Sequence, residues 1–451
     1  MASCNQLFAA AAACSLAIST IHLVAQQAKY DGAIPGEPPY NGPNQAERAA
    51  ARARGFNRRE RRLLYVALPG GSAGGQFSSE MNGLGIVVLD VDRNFEFVKR
   101  IPTYNIAAAV RPAEAAGIAA SPATNMIYLA MRGRLTAFDL ATDQKVWDNT
   151  YDGFCCERQE ITPDGLTIVA GSNLRNFWYV IDARTGEMKG KIQAAATDAH
   201  NMALSADGKT VLMAPNGVTV TVGDVPSMKA LRTITFSDHV RPLVINHDAT
   251  RVYANLNNLL GFEIGDVKTG EVIKHIEAPA EMWKEKWANR DKPGVRFFGH
   301  GCPSHGIALT PDESELWVVD NINYGVLVYD NTDEWPVYRS SFPTTASADW
   351  ITMGLDGKYA YLSSSDIVDV KTKKIVGQMK DEYGRPMHSE KFLELAFRET
   401  PGKEYGTEGE VKLVRTVSQF GQGIPSAVQA RLAAKNKQAA SSKSTPGAPV
   451  E

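Results

Sequence analysis

The 451-residue chain is short of several things, and each shortage narrows what it can be. Only five cysteines occur, and Cys4 and Cys14 lie in an N-terminal segment expected to be removed. Cys155, Cys156 and Cys302 cannot make a disulfide framework, because adjacent cysteines bridge only with strain and an odd count leaves a thiol over. Cys155 and Cys156 are read as a vicinal disulfide or, as such pairs more often are, as two small buried thiols. Charge of one sign is missing too. With 48 Lys and Arg against 50 Asp and Glu, the net charge of −2 supplies no field that would draw the chain to nucleic acid or an anionic membrane. There is no P-loop, no glycine-rich nucleotide motif after a strand, no haem-attaching CxxCH and no Gly-x-Ser-x-Gly elbow.

Long apolar runs are limited to one, LFAAAAACSLAISTIHLVA from Leu7 to Ala25. It reads as a signal peptide over residues 1–26, atypical in having no Lys or Arg before the apolar stretch, so the protein is expected to be secreted or periplasmic. His22 and Ser19 make the run a poor membrane span, and a retained N-terminal anchor is the alternative. Residues 27–61 open rich in Pro and Gly and become rich in Arg, as a lead-in does. From residue 424 to 451 the chain loses its aromatic residues and turns to Ala, Ser and Lys, the composition of a disordered tail.

What fills residues 62–423 is a repeat. An apolar stretch, an Asp turn and a second apolar stretch recur as QEITPDGLTIVAGS, NMALSADGKTVLMAP, PLVINHDATRVYANL, GIALTPDESELWVVDN and ITMGLDGKYAYLSSS. A degenerate copy, GIAASPATNMIYLAM, begins at Gly117. The turn residues Asp164, Asp207, Asp248, Asp312 and Asp356 stand 43, 41, 64 and 44 residues apart, with Ala123 another 41 before the first. Each anchor leads to a third strand, a turn such as DARTGE or DVKTGE, and a fourth strand. Alternating apolar and β-branched residues bounded by tight turns are what antiparallel hairpins need. Four strands per 40 to 45 residues is the signature of a propeller blade. With the opening partial unit from Leu63, which lacks a first strand, the count predicts an all-β, seven-bladed β-propeller of four-stranded antiparallel blades. Closure falls to a C-terminal strand, KFLELAFRETPGK from Lys391 or EVKLVRTV from Glu410, which removes exposed edges.

LLYVALPGG, TRVYANLNN and ELWVVDNIN, together with the DARTGE and DVKTGE turns, resemble the YVTN-repeat propellers over about residues 62 to 400. That superfamily includes lactonase-like enzymes related to 6-phosphogluconolactonase and carboxymuconate cyclase. The resemblance implies the fold strongly and a function only loosely, because the architecture hosts enzymes, binding modules and scaffolds alike.

Innermost strands of a propeller start at the mouth of its central channel. Counting seven residues back from each turn Asp puts Glu157, His200, Arg241, His305 and Asp349 in one register, with Ala116 in the degenerate blade. Glu114, Arg158, Asp198, Asn201, Asp238, His239, Cys302 and Trp350 flank them. A lone His or Arg there is ordinarily a capping group, but five ionisable residues in register point to a site. Two chemistries fit. His200, His305, Glu157 and Asp349, with His388 if the strand from Lys391 is innermost, have the ligand types of one divalent metal ion, and HGCPSHG adds His300 and Cys302. Alternatively Arg241 clamps a substrate carboxylate while His200 or His305 and Glu157 act as acid and base. The lactonase-like resemblance implies His, Arg and Glu residues of that kind in the cleft. The expected ligand is a small acidic molecule at the channel, hydrolysed or isomerised if it is turned over. The rival reading is a non-catalytic propeller that binds a protein or envelope component. In it the 279–301 insertion, long and rich in Trp and Phe, docks the partner or lids the mouth. No nucleic acid and no membrane beyond the N-terminal anchor are expected, and the chain is expected to be a monomer. His247, in a tight turn, and His275, on an outer strand, read as structural.

Overall fold

The computed structural model describes residues 60–68, 82–105, 115–292, 300–399 and 411–418, except positions 132 and 154, and also 28–29 and 431. The segment expected to be a signal peptide, most of the lead-in and nearly all of the tail lie outside these residues. So do Glu114, Phe297 and Phe298.

Seven antiparallel sheets stand in a ring. Blade 2, for example, runs Ala115–Ser121, Met126–Met131, Arg134–Asp139 and Lys145–Thr150, from the channel outward. Blades 3 to 7 begin with innermost strands Cys155–Ile161, Ala199–Leu204, Val240–Ile245, Ile307–Leu309 and Ile351–Met353. Blade 1 is split across the chain. Arg61–Leu68, Gly85–Asp90 and Glu96–Ile101 supply three strands, and Phe392–Glu399 pairs with the first of these as the innermost. The segment from Lys391 thus closes the ring. Val411–Thr416 does something else: it adds a fifth strand along the inner edge of Phe392–Glu399.

The turn residues explain why the repeat is so legible. Asp164, Asp207 and Asp312 each accept the hydroxyl of the Thr or Ser two positions earlier and the backbone N–H two positions later. An Asx turn of this kind fixes the hairpin, and these hydrogen bonds hold all three carboxyls below the usual range despite partial burial. The core lies between blades, where the apolar faces of neighbouring sheets meet. Tyr128, Ile168 and Tyr179 fill one such seam and Leu212, Ile245 and Val252 another.

Among the described residues helix is nearly absent. The insertion between blades 5 and 6 holds one helical turn and a bit, Ala280–Met282 and Lys284–Ala288. Trp283 and Trp287 are buried there against Leu260, Phe262 and Ile322. Both Trp side chains therefore pack on the protein's own blades.

Candidate functional site at the channel mouth

The innermost strands of blades 2 to 5 share an irregularity near their starts. Pairing slips between Ala115 and Gly117, Cys155 and Gln159, Ala199 and Asn201, and Val240 and Leu243. A bulge leaves a residue out of the ladder and re-aims its side chain, and the residues so released include Ala116, Glu157, His200 and Arg241. In blades 6 and 7 the regular strand starts later, and His305 and Asp349 stand two residues before it. Blade 1 completes the circle with Glu390, two residues before Phe392. The backbone confirms this register. Val319, Ser363 and Ala67 donate to the carbonyls of Gly306, Trp350 and Lys391, which follow His305, Asp349 and Glu390. Six of the seven ring positions therefore carry an ionisable side chain, and the next position adds Arg158, Trp350 and Lys391.

These groups interact with one another. The His200 and His305 rings are 5.8 Å apart, and His300, at the end of the insertion, stacks on His305 at 4.0 Å. Glu390 sits at the centre of a charged cluster. It accepts from His300 Nε2 at 2.7 Å, Lys391 Nζ at 2.7 Å and Arg158 Nη2 at 3.1 Å. Arg158 lies over the Trp350 ring at 4.0 Å. Arg241 gives its Nε to Asn257 Oδ1 at 2.7 Å, and Glu157 accepts from Asn173 at 3.2 Å. Asp349 accepts from Asn321 Nδ2 at 3.2 Å through Oδ1, while Ser363 receives its backbone N–H.

Protonation follows from burial and neighbours. Burial pushes His200 well below its ordinary value, and the positive fields of Arg241 and Arg158 add to this. His305 is likewise held well down by burial and by His300. Both are neutral at pH 7. The ring tautomer of His305 is settled, since its Nδ1 is 2.9 Å from the Asp349 carbonyl, which can only accept. Burial alone would lower His300, but the Glu390 carboxylate outweighs it and raises the imidazole. Burial would raise Glu390, yet Lys391, His300 and Arg158 hold it well below the usual carboxylate range. Asp349 is pushed by burial up to about 7, and the Cys302 thiol, also buried, up to about 12.

The structure thus gathers His200 and His305 closely, and places Arg241 and Arg158 near enough to bias His200. Glu157 acts on Lys391 electrostatically. His388 binds the Ser363 carbonyl at 3.2 Å, on the blade 7 side. The residues whose ligand atoms all lie within 4.8 Å of one another are His300, His305 and Asp349, so Glu157, His200 and His388 fall outside that tightest group. Cys302 donates to the Ser304 carbonyl at 3.2 Å. Cys155 and Cys156, at the head of the Glu157 strand, are joined as a vicinal disulfide. His247 and His275 pair with Glu313 and Glu263, each at 3.0 Å, away from the mouth. Glu390 and Lys391 escape a count from turn aspartates because their strand has no such turn. The signal that finds Glu390 is its offset from Phe392, the same as that of His305 from Ile307, and Lys391 is the residue after it.

No family profile and no curated protein matches the chain. Among solved structures, a chain of the "Crystal Structure of Mitotic Checkpoint Complex" aligns with a TM-score of 0.51 at 11% identity, over 66% of this chain and 80% of that one. A chain of the Kuenenia stuttgartiensis hydrazine synthase aligns with a TM-score of 0.49 at 15% identity, over 69% and 93%. The first of these likenesses, at 11% identity, speaks to fold alone. The chain is a seven-bladed β-propeller closed by its own C-terminal strand.

Proposed function

We propose that the protein is an exported ligand-binding propeller whose site is the channel mouth and whose ligand is a small carboxylic acid. One observation carries this reading. Six buried side-chain atoms at two adjacent ring positions have no hydrogen-bond partner: Nη1 of Arg158, Nε2 of His200, both amide atoms of Asn201, Nε2 of His305 and Oδ2 of Asp349. Native interiors leave few such atoms, and a group of them calls for a ligand, an ion or ordered water. Donors and acceptors are mixed, which suits a molecule carrying both a carboxylate and hydroxyl groups. Arg241, with Nε fixed by Asn257, keeps its terminal nitrogens for the carboxylate.

The YVTN-repeat resemblance and its lactonase-like branch fit this site, as does the apolar leader of residues 7–25 for export. If the bound acid or its lactone is turned over, His200 or His305 is the base, since each is neutral and the tautomer of His305 leaves a lone pair on its Nε2. Arg241 then orients the carboxylate, and Glu157 lies at the same rim.

The test is calorimetric titration of the full-length mature protein with gluconate, 2-hydroxyglutarate and cis,cis-muconate. Binding of at least one acid is expected, weakened about tenfold to a hundredfold by Arg241→Ala, the worth of a charge-assisted hydrogen bond. Failure to bind any of them, or binding indifferent to Arg241→Ala, overturns the reading in favour of an interaction propeller.

A further inference from the structure

We propose that His300, His305 and Asp349 bind one divalent first-row transition-metal ion at the channel mouth. Three independent features of the site lead there.

The first is spacing. The three ligand atoms already lie within 4.8 Å of one another. Bonds of about 2.1 Å in tetrahedral geometry require separations of about 3.4 Å, so a contraction of at most about 1.4 Å suffices. Side chains reach the point from three places, His305 from blade 6, Asp349 from blade 7 and His300 from the end of the insertion.

The second is unused valence. His305 must carry its proton on Nδ1, which leaves a lone pair on Nε2. That atom is buried and has no partner, as does Oδ2 of Asp349. Both residues are fully buried. In the protein interior, a bare imidazole nitrogen beside a bare carboxylate oxygen is expensive unless a cation lies between them.

The third is the outer layer. Metal-binding imidazoles nearly always donate their other N–H to a carboxylate or carbonyl, which fixes the ring and its tautomer. His305 does so to the Asp349 carbonyl and His300 to Glu390, while Asn321 holds the second oxygen of Asp349. Glu390 in turn is anchored by Lys391 and Arg158. Two imidazoles and one carboxylate select a first-row transition metal over Ca²⁺ or Mg²⁺, which prefer oxygen alone. Three protein ligands leave a position open. His200, close to His305 with its own Nε2 unpartnered, is placed to hydrogen-bond whatever occupies it.

The experiment uses the full-length mature protein, stripped with a chelator and titrated with Zn²⁺ and with Co²⁺. Metal is measured by elemental mass spectrometry, Co²⁺ by its visible absorption and stability by thermal melting. About one equivalent is expected, with melting raised on loading, because an ion that binds only the folded state stabilises it. Asp349→Asn and His300→Ala should each weaken Zn²⁺ by more than the tenfold to hundredfold that outer-layer changes cost. Cys302→Ser should bind normally. His300 is about a third exposed, so its removal leaves the fold intact. An unchanged melt of the metal-free variant checks this. No stoichiometric uptake by the wild type, or uptake that survives both substitutions, overturns the proposal. The acid-binding reading fails separately. Metal held by a protein that binds none of the acids sinks that reading alone, and acid binding by a protein that takes up no metal sinks this one alone.

Discussion

The innermost strands begin and end in opposite chemical states. At their far ends the turn aspartates Asp164, Asp207 and Asp312 each accept a hydroxyl and a backbone N–H from within their own turn. That end carries added cover. Val411–Thr416 lies inside the blade 1 strand, its Leu413 is buried and bonds through its N–H to Asn125 in the first turn of blade 2, and Ser418 reaches Glu160. At the mouth the same strands begin with charged and imidazole groups, several holding atoms with no partner. Repetition of one structural unit would treat both ends alike. Local turn bonding at one end and a cluster of unpartnered atoms at the other separate the part of the repeat that builds from the part proposed to bind.

The largest effect expected from breaking this contrast is at Glu390. It is the buried anion that neutralises Lys391 and Arg158, both themselves buried. Glu390→Ala strands two cations in the interior, and removing one partner of a buried ion group costs about 3–5 kcal/mol. Urea denaturation should show a loss of that order. A loss below about 1 kcal/mol would mean that solvent reaches the mouth freely, and the contrast between the ends would lose its basis.

How this contrast relates to the sequence is instructive. The turn end is legible because its chemistry is local: an Asp, its hydroxyl partner and its backbone partner lie within five residues, so each repeat spells out its own hairpin. The ring register is legible by extension, since Glu157, His200, Arg241, His305 and Asp349 keep a constant distance from those turns. Glu390 is not, because its strand pairs with Arg61–Leu68 more than 300 residues earlier in the chain and lacks the turn that would mark it. His300 stands in an insertion outside the repeat, so its stacking on His305 is a tertiary fact. The bulges that release the ring side chains, and the fifth strand from Val411, depend on packing between distant segments.

A smaller, pH-dependent effect sharpens the far end of the comparison. Glu160 is buried there with Ser418 as its hydroxyl partner, and desolvation raises its carboxyl from 4.5 to about 8. The folded protein thus holds a proton that the unfolded chain releases. Where the folded state binds more protons, stability falls as pH rises. The contribution is fully present below about 4.5 and lost as pH rises through about 8. Glu160→Gln keeps the hydrogen bond and cannot ionise. Its urea midpoint should match the wild type near pH 5 and exceed it at pH 9. Parallel pH profiles would show that Glu160 ionises without cost, and the far end would then not be closed to water.

The smallest effect separates the two ends most directly, because its sign is the reverse of what burial ordinarily predicts. Asn201 is buried at the position after His200, and neither its amide oxygen nor its amide nitrogen has a partner. An unsatisfied buried amide costs about 1–3 kcal/mol, and replacing it with an apolar group of similar size removes that cost. Asn201→Leu is therefore expected to be neutral or to stabilise by about 1 kcal/mol, read from the urea midpoint, as substitutions at strained functional positions often do. Affinity for the proposed acid ligand should fall about tenfold at the same time, since an amide that the folded chain leaves unused is then available only to a ligand. The same logic applied to a turn aspartate gives the opposite sign, because its carboxylate already accepts a hydroxyl and a backbone N–H within the chain. A loss of 2 kcal/mol or more in Asn201→Leu would show that the amide is satisfied inside the protein, and that the mouth is finished in the same way as the turns.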